Sequence, residues 1–178
     1  MEIERKYIVI GNQWREKVVA SWRICQGYLQ DDPKRTVRVR TRIPAGDSEG
    51  KSKAYLTIKT ESTDGGLSRQ EFEYPLPPDD AEQLLGLCKN SLIVKTRHII
   101  PVVLSLPEPE ESSGKHTVEG KIEIDEFDGD NKGLILAEVE LPDAKAVFER
   151  PDYLLEEVTG IERYYNLYLS KHPYQSWF

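Results

Sequence analysis

The sequence predicts a mainly β fold of the α+β class, in which eight antiparallel strands form a sheet or a barrel and helices pack against its apolar outer face. Eight stretches of the 178-residue chain alternate polar and apolar residues or are rich in β-branched residues, as strands are. Most are joined by short polar turns or by turns with glycine or proline, which favours antiparallel pairing over βαβ units. The predicted strands are residues 1–10, 25–30, 36–43, 54–60, 68–76, 92–105, 117–127 and 134–141.

Three helical stretches interrupt the predicted strands. The first begins after a pair of prolines, has Asp79 as its expected N-cap and carries an apolar stripe along one side. A shorter helix is expected after Asn12, with Trp14 and Trp22 on the same side. The three main predicted helices are residues 79–89, 143–149 and 163–171.

Composition and net charge limit the classes of function. Hydrophobic residues make up 38% of the chain and charged residues 31%, which fits a single folded domain over residues 1–178 and argues against disorder. The net charge of −7 argues against a general nucleic-acid binder or an anionic-membrane binder, because such proteins carry a basic surplus. The sequence contains no glycine-rich phosphate loop of the Walker or Rossmann kind.

The cysteines and the apolar runs predict the cellular compartment. Cys25 and Cys88 are far apart in sequence, and neither has a partner at metal-ligand spacing. Since no secretory hydrophobic stretch follows Met1, reduced thiols and a cytoplasmic location are expected. The longest apolar run, residues 99–106, contains Pro101 and is too short to span a bilayer. The sequence therefore predicts a protein without a membrane partner and leaves a homodimer open.

Charged residues fall on one face of the predicted strands. Residues two apart in a strand share a face, and seven of the eight predicted strands place charges this way. Arginine and lysine gather on the middle strands, whereas glutamate and aspartate gather on the first and last. One solvated face would explain any single strand. The charged positions are Glu2, Glu4, Lys6, Arg38, Arg40, Lys59, Arg69, Glu71, Glu73, Lys95, Arg97, Glu123, Asp125, Glu138 and Glu140.

Taken together, these charges predict an anion-binding lumen. If the sheet closes into a barrel, its charged face becomes the interior. Unpaired charges in a dry interior would be very costly, so the lumen must be wet, internally paired or built to hold ions. Clustered cations beside a separate acidic cluster suit a linear polyphosphate that carries Mg²⁺ or Mn²⁺, because guanidinium and ammonium groups bind phosphate oxygens and carboxylates bind hard metal ions.

The ordered set of charged motifs resembles the CYTH superfamily, the triphosphate tunnel metalloenzymes. Glu2-Ile3-Glu4-Arg5-Lys6 matches the ExExK signature of that family at its usual N-terminal place. Residues 157–166 are similar to the C-terminal region of bacterial members, although the likeness ends after Asn166. The other motifs, in order, are Thr36-Val37-Arg38-Val39-Arg40, Leu56-Thr57-Ile58-Lys59, Arg69-Gln70-Glu71-Phe72-Glu73, Lys95-Thr96-Arg97, Glu123-Ile124-Asp125 and Ala137-Glu138-Val139-Glu140.

The resemblance implies an eight-stranded antiparallel β-barrel, the triphosphate tunnel, and a role for each charged residue. The metal ligands would be Glu2, Glu4 and Glu140, with Glu138 nearby. The triphosphate would be held by Lys6, Arg38, Arg40, Lys59, Arg69, Lys95 and Arg97, and by Lys171 from a C-terminal helix that closes one tunnel end. The candidate catalytic carboxylates are Glu71, Glu123 and Asp125. Of these, Glu71 or Glu123 would accept a proton from the attacking water. The alternative, that each of those two only pairs with a neighbouring cation, stays open.

The expected activity is metal-dependent hydrolysis of a small-molecule triphosphate. Inorganic tripolyphosphate, cleaved to pyrophosphate and orthophosphate, is favoured because no segment of the sequence indicates a nucleobase pocket. The alternatives are an adenylyl cyclase of class IV type, a thiamine triphosphatase and a non-catalytic polyphosphate-binding module. The complete acidic set argues against the last, because binding alone needs cations more than a set of metal ligands.

Overall fold

The computed structural model describes residues 1–62, 64–107, 114 and 116–178. The sequence also predicts an exposed loop over residues 107–116, with a solvated acidic run at Glu108, Glu110 and Glu111; most of this stretch, including the three glutamates, lies outside the described residues. Within the described residues, no helix is long and apolar enough to cross a membrane.

The predicted antiparallel fold is confirmed, with ten strands among the described residues. Hydrogen-bonded neighbours follow the order β10-β1-β9-β8-β7-β2-β3-β4-β6, and β5 pairs with β1. Each of these pairings is antiparallel. The strands are β1 Glu2–Val9, β2 Ala20–Asp32, β3 Arg35–Pro44, β4 Lys53–Thr60, β5 Ser68–Arg69, β6 Glu71–Leu76, β7 Ile93–Ser105, β8 Thr117–Phe127, β9 Ile135–Glu140 and β10 Leu154–Glu157.

The sheet curls into a tunnel, and the seam lies at the predicted strand 68–76. This stretch is two strands rather than one, because Gln70 turns aside and its N–H donates to Thr60 Oγ1 at 3.2 Å. β5 pairs with β1 through Glu2↔Arg69 and Ile3↔Ser68, whereas β6 pairs with β4. One short stretch of chain therefore contacts both ends of the sheet, and the tunnel is not sealed as a regular eight-stranded barrel.

Two predicted helices differ in the structure. Residues 143–149 form turns, where Asp143 Oδ1 accepts a 2.7 Å hydrogen bond from the Lys145 N–H and Val147 forms a bridge with Ser105. A proline on each side leaves this stretch too short for a stable helix. The first predicted helix is α1, Pro78–Leu85, and its N-cap is Pro77 rather than Asp79.

The remaining helical stretches are short. A 3₁₀ helix over Gln13–Lys17 includes the fully buried Trp14, but Trp22 lies on β2 instead of continuing a helical stripe. The predicted helix 163–171 divides into a 3₁₀ turn, Glu162–Tyr164, and α2, Asn166–Lys171. The tunnel mouth is therefore reached by a helix of only six residues.

The apolar core packs on the outside of the tunnel, as the alternating pattern predicts. Ile122 and Ile124 on β8 are almost fully buried there, together with Val139 on β9 and Trp14 from the first 3₁₀ helix. Because side chains alternate along each strand, burial of these residues leaves the intervening charges on the inner face. The packing that stabilises the sheet thus also places the charges inside the tunnel.

Candidate active site

A cavity of about 630 Å³ lies inside the curled sheet. Thirteen of the fifteen side chains predicted to form the site line this cavity, whereas Lys95 and Asp125 do not. The thirteen are Glu2, Glu4, Lys6, Arg38, Arg40, Lys59, Arg69, Glu71, Arg97, Glu123, Glu138, Glu140 and Lys171.

Strand register brings charged side chains of different strands together. Glu4 of β1 lies across from Glu140 of β9, and Lys6 lies across from Glu138. These residues are far apart in sequence, so only the pairing of β1 with β9 makes them neighbours. The N-terminal signature motif therefore meets its acidic counterpart through backbone hydrogen bonds, before any side-chain interaction is considered.

Two cations at the seam hold carboxylates of β1. The Lys59 Nζ atom lies 2.7 Å from Glu2 Oε2 and 3.0 Å from Glu71 Oε2. Arg69 Nη2 lies 3.7 Å from Glu4 Oε1. All five side chains are largely withdrawn from solvent, so their charges are weakly screened. The tunnel is thus internally paired at this end.

Arg97 connects three carboxylates on the opposite wall. Its Nε and Nη2 atoms donate to the two oxygens of Asp125 at 2.7 and 2.8 Å, and Nη2 also donates to Glu138 Oε2 at 2.9 Å. Its Nη1 atom pairs with Glu123. Glu138 also pairs with Lys6, whose Nζ atom lies 3.1 Å from Glu138 Oε1. A fork of this kind fixes the guanidinium plane.

Lys95 and Asp125 are not among the residues that line the cavity, and the substrate contact of Lys95 and the catalytic role of Asp125 stay predictions. Their side chains are 0% and 2% exposed, and Lys95 Nζ donates to Asp125 Oδ2 at 2.5 Å. Lys95 also donates to Asn166 Oδ1 at 3.1 Å. Both residues lie on the strand face that was predicted to line the lumen. Alternation along a strand does not show how much of the lumen is filled by neighbouring side chains. Here Arg97 lies between Asp125 and the cavity.

Arg38 and Arg40 form the least compensated cationic pair in the cavity wall. Arg38, 8% exposed, donates to Thr57 Oγ1 at 3.1 Å, and Glu73 is 4.0 Å away. Arg40 Nε donates to Gln26 Oε1 at 2.9 Å, and no ion pair of Arg40 is found within the described parts of the chain. Burial, and then the nearby charge of Arg38, lower the pKa of Arg40 to about 9. Such a lowered pKa indicates a site where an anion would be stabilised.

The acidic end of the cavity centres on Glu4. Burial, and then the negative charge of Glu138, raise the pKa of Glu4, against the opposing effect of Lys6. Glu140 lies across the strand pair and is exposed to the cavity. Among the described residues, no three His, Cys, Asp or Glu side chains are already arranged around a metal position. The predicted ligands thus share the cavity, but Glu2, Glu4 and Glu138 engage cations instead of converging on a metal position.

The two candidate proton acceptors are both ion-paired. Burial acts to raise the pKa of Glu71, but Lys59 outweighs it and the pKa lies below its ordinary value. Burial also acts to raise the pKa of Glu123, and Arg97 followed by Lys121 outweigh it. Both carboxylates are therefore ionised at neutral pH, in the cation-paired arrangement that the sequence left open.

The tunnel mouth has aromatic residues that sequence reasoning missed. Tyr28, Tyr168 and His172 line the same cavity, and the rings of Tyr168 and His172 lie 4.6 Å apart between centroids. Lys171 also lines the mouth, and its Nζ pairs with Asp31 Oδ2 at 3.2 Å. The position of Tyr168, three residues before Lys171 on one predicted helix, was the available signal, since residues three apart share a helix face.

Comparison with known proteins gives the family of this fold. A curated relative named inorganic triphosphatase, from Acetivibrio thermocellus, is 39% identical over 177 residues, covering 98% of this chain and 96% of that protein. A second protein of that name, from Nitrosomonas europaea, is 33% identical over 167 residues, covering 93% of each. A crystal structure of an inorganic triphosphatase aligns with a TM-score of 0.56 at 25% identity, covering 96% of this chain and 94% of that chain.

The family model described as the CYTH domain matches residues 1–167, which include every predicted site residue except Lys171. The match agrees with the curled antiparallel sheet and with the motif order read from the sequence. The chain belongs to the CYTH domain family.

Proposed function

We propose that this protein hydrolyses inorganic tripolyphosphate to pyrophosphate and orthophosphate, with Mg²⁺ or Mn²⁺ as its metal ion. The observation that carries the proposal is the pair Arg38 and Arg40, which faces an enclosed cavity with little carboxylate compensation. Buried guanidinium groups of this kind bind phosphate oxygens strongly. Both curated relatives are named inorganic triphosphatase, which supports the same substrate class.

Substrate binding would exchange the partners of the paired cations. Lys59 and Lys6 now neutralise carboxylates inside the cavity. A triphosphate chain would offer them phosphate oxygens, and the displaced carboxylates would then need another positive partner. A divalent cation entering with the triphosphate would be that partner, because carboxylate oxygens suit a hard metal ion. The charges thus favour joint binding of metal and triphosphate over binding of either alone.

The carboxylate oxygens of the cavity are of the chemical type that binds such a metal ion. Glu2, Glu4 and Glu140 would hold it, since all three line the cavity and burial and then Glu138 raise the pKa of Glu4. A raised carboxylate pKa indicates negative charge that the protein alone does not fully stabilise. When bound, the metal ion supplies positive charge that offsets the charge developing on the transferred phosphoryl group.

The residues of the chain bind and orient the triphosphate, and one of them accepts a proton. Arg38, Arg40 and Arg97 would align the triphosphate and stabilise its oxygens as the terminal P–O bond breaks. A water molecule attacks the terminal phosphorus, pyrophosphate leaves, and the proton of the water passes to a carboxylate oxygen of Glu71 or Glu123. Glu71 becomes the stronger base when Lys59 turns to phosphate, because Lys59 is the charge that lowers its pKa.

We expect tripolyphosphate to be hydrolysed with a higher kcat/KM than ATP, with orthophosphate released and little cyclic AMP formed. A nucleoside would also have to place its base at the mouth, where the rings of Tyr168 and His172 already contact each other. Phosphate release from tripolyphosphate, pyrophosphate, ATP and thiamine triphosphate, each with Mg²⁺ and with Mn²⁺, tests this. Equal turnover of ATP with cyclic AMP as the main product would overturn the proposal.

The aromatic mouth favours one second candidate, a nucleoside triphosphate as substrate. Tyr28 and Tyr168 offer ring surface beside the cationic wall, and a base stacked on a tyrosine gains affinity. A Tyr168→Ala variant distinguishes a nucleoside triphosphate from tripolyphosphate as the substrate. If the nucleotide is the substrate, KM for ATP rises and KM for tripolyphosphate changes less; if tripolyphosphate is the substrate, ATP turnover is low before and after the change.

We expect Arg38→Ala and Arg40→Ala each to lower kcat/KM for tripolyphosphate by about ten- to a hundredfold, since a charge-assisted hydrogen bond contributes about 1.5–3 kcal/mol. Arg42→Ala is the matched control from the same strand, because Arg42 does not line the cavity and its guanidinium lies 4.1 Å from the centroid of the Trp22 ring. Steady-state kinetics of the three variants make the comparison. Arg42 being the most sensitive of the three would contradict this account of the cavity wall.

A further inference from the structure

The helix at the tunnel mouth, α2, is too short to hold its own position. It has six residues, and isolated helices of that length are not stable in water. Nevertheless Asn166, Tyr168 and Lys171 of α2 line the cavity, as does His172 just after it. Their placement must therefore come from contacts that α2 makes with other parts of the molecule.

Three contacts tie α2 to the sheet. Leu169 is fully buried against the core that includes Ile93 and Leu136. The Ser170 carbonyl accepts the Ser91 N–H at 3.2 Å. The Asn166 side chain receives the buried ammonium of Lys95. These contacts hold Leu169 and the ends of α2, and a further segment packs against Tyr168 and the His172 carbonyl.

That segment is residues 173–178, which fold back over α2. The Tyr174 N–H donates to Asn131 Oδ1 at 2.8 Å, and Asn131 is 1% exposed, so the segment is anchored at a fixed point between β8 and β9. The Trp177 indole N–H then donates to the His172 carbonyl at 3.0 Å. This bond satisfies a carbonyl at the end of α2, where the helix itself supplies no donor.

The Trp177 ring contacts both sides of the turn that leads into α2. Its centroid lies 5.8 Å from that of Tyr164, in the preceding 3₁₀ turn, and 6.5 Å from that of Tyr168, on α2. It lies 5.0 Å from the Tyr174 ring, and the Arg163 guanidinium stacks on it at 3.9 Å. Edge-to-face pairs and cation–π stacking restrict the relative orientation of the rings.

We propose that Trp177 is a positioning residue, which holds α2 across the tunnel mouth through Tyr168 and the His172 carbonyl and thereby sets the affinity for the triphosphate. Trp177 does not line the cavity, so it acts through what it contacts: α2, the 3₁₀ turn before it and the core around Leu169. Its loss removes the contacts to Tyr168 and to the His172 carbonyl, while Leu169 and the Lys95–Asn166 bond keep α2 attached to the sheet. The expected defect is a misplaced mouth on an otherwise folded protein.

The test compares Trp177→Ala with Phe178→Ala, a matched loss of an aromatic ring. Phe178 is 89% exposed, and its ring interaction within the described residues is with Tyr174 alone. We expect Trp177→Ala to raise KM for tripolyphosphate about tenfold, since small displacements of a binding element commonly cost that much, with kcat changed about twofold at most. Phe178→Ala should match the wild type, and Trp177→Phe should recover most of the affinity because it restores a packed ring.

Hydrogen exchange gives a readout that does not depend on activity. Trp177→Ala should accelerate exchange of the amides in residues 166–172 while the strands keep their protection. The KM readout rests on the proposed function, but the exchange readout does not, so absence of tripolyphosphate hydrolysis in the wild type would refute the function and leave the positioning role testable. Wild-type KM and wild-type exchange in Trp177→Ala would overturn the inference, as would uniform acceleration across all strands. If Trp177→Ala fails to fold, Trp177→Leu is measured in its place, because leucine keeps apolar volume but removes the ring and the indole N–H; a raised KM and faster exchange in residues 166–172 support the inference, and wild-type values of both overturn it.

Discussion

Replacing Glu4 by glutamine is expected to reduce phosphate release to background and to leave the fold intact. The substitution preserves the shape of the side chain, so it opens no cavity in a wall where Glu4 is only 14% exposed. It removes the negative charge that a hard cation requires from its oxygen ligands. Phosphate release from tripolyphosphate at several Mg²⁺ and Mn²⁺ concentrations measures the effect, and full turnover at modest metal concentration would contradict the proposed metal ligand.

The same substitution should raise the stability of the metal-free protein. The pKa of Glu4 is raised in the folded state by burial and then by Glu138, so at neutral pH the ionised carboxylate is less favourable in the folded protein than in the unfolded chain. Stability from this group therefore rises as the pH falls through the raised pKa, and a neutral glutamine mimics the low-pH form. Thermal unfolding with a metal chelator present tests this, with Glu156→Gln on the exposed face of β10 as the control.

The features of the fold that depend on local sequence patterns could be predicted. Alternation along each strand identified the two faces, and burial of Val39, Ile122 and Ile124 confirms which face is apolar. Strand β10, four residues long, was missed because Leu154–Glu157 shows no alternation and its partner Tyr7 lies far away in sequence. The division of strand 68–76 at Gln70 was missed for the same reason, since it depends on pairing with two distant strands.

The sequence predicted which residues belong to the candidate site, but not which of them neighbouring side chains cover. Parity and the family resemblance selected side chains of the inner face, and thirteen of the fifteen line one cavity. Lys95 and Asp125 have the same parity, but Arg97 fills the space in front of them and Asn166 covers Lys95. The volume that neighbouring side chains occupy is a tertiary property, and the charge pattern of a single strand does not contain it.

Asp125→Asn is expected to lower the free energy of unfolding by about 3–5 kcal/mol, the range for removing one partner of a buried ion pair. Asp125 binds Lys95 at 2.5 Å and Arg97 at 2.7 and 2.8 Å. Without that charge, the fully buried Lys95, whose pKa burial lowers to about 7, keeps only the Asn166 amide oxygen as a close partner. Arg97 retains Glu123 and Glu138, so its orientation is disturbed less. Urea unfolding at pH 7 measures the loss.

Asp128→Asn is the matched control, because Asp128 also pairs with an arginine, Arg23, at 2.9 Å, but both side chains are more than 40% exposed. That change should lower the free energy of unfolding by about 1 kcal/mol or less.

The pH dependence of stability gives a second check. Burial acts to raise the pKa of Asp125, but Arg97 and then Lys95 outweigh it and hold the pKa below its ordinary value.

A carboxylate with a lowered folded pKa contributes its full stability above the pKa of the unfolded chain and loses it as the pH falls through the folded value. The contribution of the Asp125 charge to the stability difference between wild type and Asp125→Asn should therefore be lost only below about pH 4, the ordinary range of an aspartate. Burial lowers the pKa of Lys95 to about 7 and Asp125 opposes that shift, so the difference should grow as the pH falls from 7 to 5, because protonating Lys95 costs the variant more. A difference that narrows between pH 7 and pH 5 would mean that Asp125 does not carry its charge in the folded protein. Equal stability losses for Asp125→Asn and Asp128→Asn would show that the buried pair behaves like an exposed one, and the stabilising role given to the Lys95–Asp125 pair would then be wrong.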